Sequence, residues 1–555
     1  MLEEIDPNSI QDPHARRCVI LLLNLMEGQL QQIAALKEQN QLLRDEIARL
    51  KGQQGKPDIK PNLKPNVDHS SEEHRKEPKV WKKHSKRDLI EVHHTCEIPF
   101  DRSTLPEDIQ FKGFEEYIVQ ELKLVSENTR FLRAKYYSPS NNQSYLVPLP
   151  RGFNNHFGPG MKSLALWLGY TGNMSQAGIH HLFTSAGAIL STGEINLFLT
   201  ENADRFHKES AEVFTAGLAS SPWSHIDDTS TRVNGQNQHC HVLCNPLYSA
   251  YHTAPRKDRL AVIGALCGGR ELTYLCNSAA LAYMQVQGLS KADRKRLLQI
   301  PQETPMSEAA LREFLSALVP HLGTQKVTRV LEGMALAAYQ AQEEFPVLDL
   351  LVCDAAGQFV WLTAERALCW IHDGRHYAKL MPRLAAHEKA LTDFQKDYWA
   401  FYKELLTYQK APTSAEAVRL EEKFDTLFQT VSGYDALDER IQKSWAHKAE
   451  LLMVLTHPEI PLHNNAAELA ARRRVRKRDV SFGPRSDLGK QCWDTFMTLS
   501  ATAAKLGVNF YHYLQDRLSE ASGRDPLACF AHSRACRATQ PGCFLGDGLI
   551  TSPHY

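Results

Sequence analysis

Residues 225–246 read HIDDTSTRVNGQNQHCHVLCNP, two short strand-like runs separated by an Asn-Gly turn. On a strand, neighbouring side chains point to opposite faces, so Asp227 and Asp228 address different sides of the sheet. His239 and His241 share one face while Cys240 takes the other, which argues against a single zinc ion collecting this His/Cys group. Asp227 closes a short apolar run, and a second acid, Asp354, closes the buried-strand pattern of VLDLLVCDAAGQF. Carboxylates at strand ends lie at a sheet rim, where two from neighbouring strands converge.

Outward from this stretch, PWSHIDDTSTRV, QHCHVLCNP, YSAYHTAP and DRLAVIGAL are expected to be strands. A helical stretch from ELTYLCNSAALAYMQVQG to about residue 333 follows, and the pattern turns helical again after Ala364. Residues of about 380–456 read as polar-amphipathic helices. Upstream, YIVQELKLV and TRFLRAKYY look strand-like, and MKSLALWLGY looks helical. MSQAGIHHLFTSAG with STGEINLFLTEN has the form of a helix-turn-helix, capped by Ser175 and by Ser191 or Thr192, with Gly187 in the turn.

Near the N-terminus the apolar residues recur at heptad spacing. Val19, Met26, Ile33, Asn40 and Ile47 fall at a, and Leu22, Gln29, Leu36, Leu43 and Leu50 at d. An Asn at one a position favours a two-stranded parallel coil in fixed register, so Ile33, Leu36, Asn40, Leu43 and Ile47 are dimerisation candidates. The alternative is an amphipathic helix packed on its own domain. Lys51–Arg87 is rich in Pro, Lys and Arg and reads as an extended basic linker or a solvated spacer.

At 555 residues the chain is expected to form several domains. Lys+Arg and Asp+Glu each total 64, so attraction to nucleic acid must come from local clusters. One lies in HNNAAELAARRRVRKRD (463–479), where Glu468 sits on the first turn of a helix, with Asn464 as expected cap, ahead of Arg472, Arg473, Arg474, Arg476, Lys477 and Arg478. Asp227, Asp354 and Glu468 would suit Mg²⁺ or Mn²⁺, hard cations that favour carboxylates, and two such ions about 4 Å apart serve phosphoryl transfer. The bland readings are turn caps for the aspartates and an i,i+4 surface pair of Glu468 with Arg472. No phosphate-cradling loop and no serine-hydrolase elbow is present. The twelve cysteines lack paired spacing, Cys529, Cys536 and Cys543 included, no signal peptide is expected to open the chain, and no apolar run is expected to reach the roughly 20 residues of a membrane span, so the reading is cytoplasmic.

Taken together, HIDDTSTRVNGQNQHCHVLCNP, CDAAGQF with CWIHDGRHYAKL, and IPLHNNAAELAARRRVRKRD resemble the bacterial insertion-sequence sixty-six family of DDE transposases. The resemblance implies an α/β ribonuclease-H-like core with helical insertions, preceded by the coiled coil and a mainly helical DNA-binding region. It points to Asp227, Asp354 and Glu468 as catalytic and metal-binding residues, with two Mg²⁺ (or Mn²⁺) ions per site, and to Cys369 and His372 as a Cys-x-x-His element beside them. The implied division is a zipper at 17–52, a linker at 53–95, a DNA-binding region at 96–215, a core at 216–380 interrupted at about 268–335, an insertion at 381–455, the last core part at 456–518 and a tail at 519–555. Implied partners are element-end and target DNA, a second copy of the chain and, left open, companion proteins of the element, with no membrane. Family members often carry a four-cysteine zinc finger before the core. Here that region keeps only Cys96, so zinc is not expected and end recognition would fall to the helical pair at 175–200 and the basic linker. Asp228 and Leu469 also depart from the family pattern. A non-catalytic dimeric DNA-binding protein and a metal-dependent nuclease on the same fold are the competing readings.

Overall fold

In the computed structural model the described residues are 7–50, 90–98, 112–153, 155–520, 523, 525–530 and 533. Most of the expected linker, and Cys536 and Cys543 of the tail, lie outside them. A 38-residue helix α1 (Pro13–Leu50) leads to a hairpin of β1 (Lys135–Ser138) and β2 (Gln143–Leu146). Four helices follow: α2 (Pro159–Tyr170), α3 (Gln176–Ser185), α4 (Thr192–Thr200) and α5 (Asp204–Ala219).

The central sheet begins with β3 (Trp223–Val233), β4 (Gln236–Cys244) and β5 (Ser249–Ala254). Helices α6 (Arg259–Leu266), α7 (Ser278–Val286), α8 (Lys291–Leu297), α9 (Glu308–Leu318) and α10 (Thr324–Ala341) precede β6 (Leu350–Cys353) and β7 (Glu365–Leu368). After α11 (Trp370–Ala378) come α12 (Ala385–Lys410), α13 (Ser414–Phe428), α14 (Asp435–Trp445) and α15 (Lys448–Leu451), then α16 (Asn465–Ser481), α17 (Asp487–Lys505) and α18 (Phe510–Leu518). The strands lie in the order β5-β4-β3-β6-β7. β3, β4 and β5 are antiparallel neighbours, whereas β6 runs parallel to β3 and β7 parallel to β6.

The turn between β3 and β4 is Asn234-Gly235, both at positive φ (48° and 75°), the geometry whose twist matches a tight hairpin. Ile226 and Leu243 enter one apolar cluster, with β6 and the helices of both insertions. Val242 and Cys240 enter the other, with α2–α5, α16, α17 and α18. The sheet is thus covered on both faces, as its parallel half requires.

Several expectations are corrected. DRLAVIGAL is not a strand but α6: the Asp258 carboxylate caps the Ala261 N–H, and Val262, Ile263 and Leu266 share the buried face. Tyr117–Val125 forms no strand, and of TRFLRAKYY only the end enters β1. Conversely, Glu365–Leu368, expected to begin a helical stretch, is the edge strand β7. α1 is, by length and composition alone, long and apolar enough to cross a membrane, a test that helices of soluble proteins also pass. The helix pair α3/α4 follows the expected caps, Ser175 accepting from Gly178 N–H and Ser191 from Glu194 N–H, with Gly187 at φ 89° between them.

Candidate active site

β3 pairs with β6 only from Trp223 to His225; the same register carried two steps further sets Asp227 beside Asp354. Asp227 is therefore not at the end of its own strand, as its apolar run suggested, but at the point where its parallel neighbour stops. Its side chain lies on the face covered by α16, opposite to Ile226. Asp228 points the other way and accepts a hydrogen bond from Gln358 Nε2 (2.9 Å).

Burial, with the negative charges of Asp354, Glu468 and Asp228, raises the Asp227 pKa to about 7, although the Asp228 N–H donated to its Oδ1 (2.9 Å) opposes the shift. Asp354, in the loop after β6, and Glu468, on the first turn of α16, thus lie near enough to Asp227 on β3 for their charge to act on it. Asp354 holds its loop by accepting the Ala356 N–H (3.0 Å).

Asn464 sets the position of α16, but not as the expected cap: its side chain accepts no N–H from the helix. Instead its Oδ1 lies 2.9 Å from His225 Nδ1, its Nδ2 donates to Ile226 O (2.7 Å), and its N–H donates to Cys369 Sγ (3.2 Å). One side chain and its amide therefore join α16 to β3 and to the start of α11. Burial pushes the His225 pKa down to about 3, so the ring stays neutral. At its far end α16 stops at Phe482 and Gly483, both at positive φ; a Cβ on Gly483 would lie 2.2 Å from Arg232 O. The Asn234 N–H donates to Pro484 O (2.9 Å), stitching this end to the β3–β4 turn.

α11 has two faces. Trp370 sits fully buried among Tyr398, Phe401, Phe424 and Phe428, its indole N–H donating to Leu451 O (2.8 Å), and Asp373 accepts from Tyr398 and Ser444. The other face presents His372 and Arg375 to Glu468, with Nδ1 3.7 Å from Oε1 and Nη2 3.5 Å from Oε2. Glu468 is paired here and not with Arg472 among the described residues, so the surface-pair reading fails. Glu468 Oε1 and His372 Nδ1 are buried without a hydrogen-bond partner. Ligating atoms of Cys369, His372 and Glu468 lie within 4.8 Å of one another. Burial pushes the Cys369 pKa up to about 12, so at neutral pH it is a thiol accepting the Asn464 N–H. Arg375 was missed in the sequence, although it follows His372 by one helical turn.

The cations of α16 divide. Ala467, Ala470, Ala471, Arg474 and Lys477 form its buried stripe against β3 and β4, and the alanines allow close approach. Arg474 is 0 % exposed, bonded to Thr253 Oγ1 (2.9 Å) and Asp494 (3.1 Å) and set over Trp493. Lys477 donates to Gly169 O and lies over Tyr170 and Trp493; burial lowers its pKa to about 8. These two residues, expected to contact DNA, are held inside the protein by these partners and do not face it, although Arg474 Nε has no hydrogen bond. Arg472 and Arg476 are exposed, while Arg473 reaches Ser500 and Arg478 reaches Ser230 O.

Neither α3 nor α4 carries a Lys or Arg. Beside them, Ser126 N–H donates to Ala186 O in their turn (2.8 Å), and Arg130, Arg133, Lys135 and Arg151 are exposed on the flanking segment. No Asp or Glu occurs from Asn128 to Gly193.

A family model described as Transposase IS66 family matches residues 325–491, a span that includes Asp354, Cys369, His372 and Glu468. An uncharacterized protein of Sinorhizobium fredii, y4jO, is 30% identical over 324 residues, 58% of this chain and 99% of that protein. The chain belongs to the IS66 family of transposases.

Proposed function

We propose that this chain is a DDE-type DNA transposase built on a ribonuclease-H-like core. The observation that carries the reading is the β3–β6 register, which sets Asp227 beside Asp354 on the face covered by α16, with Glu468 near enough to add to the burial that raises the Asp227 pKa. The strand order, three antiparallel strands followed by two parallel ones, supports the core assignment.

The residues fit a pair of divalent cations. A buried Asp227 with the negative charges of Asp354 and Glu468 near it, and a Glu468 oxygen without a hydrogen bond, suits positive charge between them. Asp227, Asp354 and Glu468 would hold Mg²⁺ or Mn²⁺, which supplies activation of the attacking oxygen and stabilisation of the leaving oxygen. The protein's own part is positional. Asn464 keeps the α16 carboxylate in register with Asp227, and Arg375 and His372 brace Glu468. Arg472 and Arg476 neutralise phosphates flanking the scissile bond, in a manner independent of sequence.

Water attacks a phosphodiester at the element end, leaving a 3′-OH and a 5′-phosphate. That 3′-OH then attacks a target phosphodiester, joining the strands and releasing a target 3′-OH, with no bond to protein. The cations at Arg130, Arg133, Lys135 and Arg151 supply the phosphate contacts that α3 and α4 lack in holding an end. Two copies paired through α1 hold two ends, and the reaction takes place on DNA in the cytoplasm. Glu468→Gln should retain binding to labelled duplexes carrying the terminal repeats and lose metal-dependent nicking and joining. Cleavage retained in that variant would overturn the assignment.

A further inference from the structure

α1 is one continuous helix whose halves meet different surroundings. In the N-terminal half Ile20 lies over Gly433, Asn24 and Glu27 bond to the helical insertion formed by α12–α14, and Leu23 between them is buried. Glu27 is 3 % exposed; its carboxylate accepts from the N–H of Arg383 (2.7 Å) and Leu384 (3.0 Å) and lies 3.2 Å from His387 Nδ1. These N–H groups open α12, where donors lack helical partners and the helix dipole favours an anion. Asn24 makes a two-way contact, Nδ2 donating to Gly433 O (3.0 Å) and Oδ1 accepting from Asp435 N–H (3.1 Å). The His387 ring stacks on Tyr434 with centroids 4.5 Å apart.

The C-terminal half is placed differently. Ile33, Leu36, Leu43, Ile47 and Leu50 are exposed along one seam. In the heptad frame the docked residues occupy outer positions, so docking leaves the a and d seam open. The insertion that receives Glu27 also encloses Trp370 and Asp373 of α11, the helix that braces Glu468.

We infer that the helical insertion is a dock for α1. A second copy of this chain, pairing along Ile33–Leu50, then fixes the spacing and orientation of the two carboxylate sites through the docked half, and Glu27 is the positioning residue. A helix rising about 1.5 Å per residue transmits such a constraint as long as it stays continuous. The consequence for paired ends rests on the transposase reading; the geometry does not.

The test uses the full chain without DNA or metal. A spin-labelled unnatural amino acid at Val418, exposed on α13, reports the distance between the two protomers by electron–electron resonance. The native dimer should give one narrow distribution. Asn24→Ala with Glu27→Ala should remain a dimer in sedimentation and broaden the distribution at least twofold, and Gly-Gly-Ser inserted after Gln31, which spares both dock and seam, should broaden it as much. Gly28→Ala, with open space around its new methyl, should keep or narrow it. Native chains that are monomeric or broadly distributed, or an inserted variant as narrow as the native, would overturn the inference. Should all variants give the expected distances while no chain nicks DNA, the transposase reading fails and the dock stands.

Discussion

The first turn of α16 and its middle carry charges in opposite settings. At the N-terminal end Glu468 is partly exposed, holds its cationic neighbours at 3.5 Å and beyond, and has an oxygen with no hydrogen bond. Two turns on, Arg474 is entirely enclosed, with an acid, a hydroxyl and an indole face around it. Buried charge that closes on an opposite charge belongs to the fold, whereas charge held near opposite charge without closing on it is left available for a ligand.

The largest effect that would break this contrast is at the acid end. Asp227→Asn should reduce cleavage by at least about 10³-fold, measured as product on labelled duplexes. It should also stabilise the metal-free protein. A carboxyl whose folded pKa is about 7, against 3.8 unperturbed, contributes stability below pH 4 that is lost as pH rises through 7. Thermal melts in chelator at pH 8 should therefore favour the variant, by up to about 4 kcal/mol, and the gap should shrink as pH falls toward 4. A variant less stable than native at pH 8 would contradict the crowding of the acids.

Next in size, Arg474→Ala should destabilise by about 3–5 kcal/mol in urea unfolding, because Asp494 and Thr253 lose their partner. Arg474→Met with Asp494→Leu should recover much of this. Asn464→Ala should come third, lowering metal affinity or cleavage about 10–100-fold with DNA binding retained. Smallest in stability, within about 0.5 kcal/mol, is Arg472→Gln with Arg476→Gln. That pair should instead reduce the slope of log affinity against log salt by about 2. Equal slopes would place the DNA elsewhere.

Reading the sequence recovered the elements whose signals are local. The alternation and Asn-Gly turn of 225–246, the buried run ending at Asp354 and the serine caps of α3 and α4 are each written within a few residues. β7 was not legible because Glu365–Leu368 has no alternation of its own and is a strand only through its pairing with β6. DRLAVIGAL misled because a short apolar run has no period, although Asp258 was a visible cap. Arg474 and Lys477 were taken with their neighbours by charge alone. Their spacing from Ala467, Ala470 and Ala471 marks the inward stripe. Asn464 looked like a cap because the same residue type at the same place serves either role, and only the approach of β3 and α11 distinguishes them.

The stitching of α16 at both ends limits how this protein can change over generations. Asn464 ties its beginning to β3 and α11, and Gly483 with Pro484 ties its end to the β3–β4 turn. One residue gained or lost between them would rotate Glu468 by about 100° relative to the far tie. Such indels should be purged, while substitutions on the outer face remain cheap. The segment from α12 to α15, which leaves and re-enters between α11 and α16, lies outside those two ties, so relatives can change its length at points away from the residues that enclose Trp370 and Asp373 and receive Glu27.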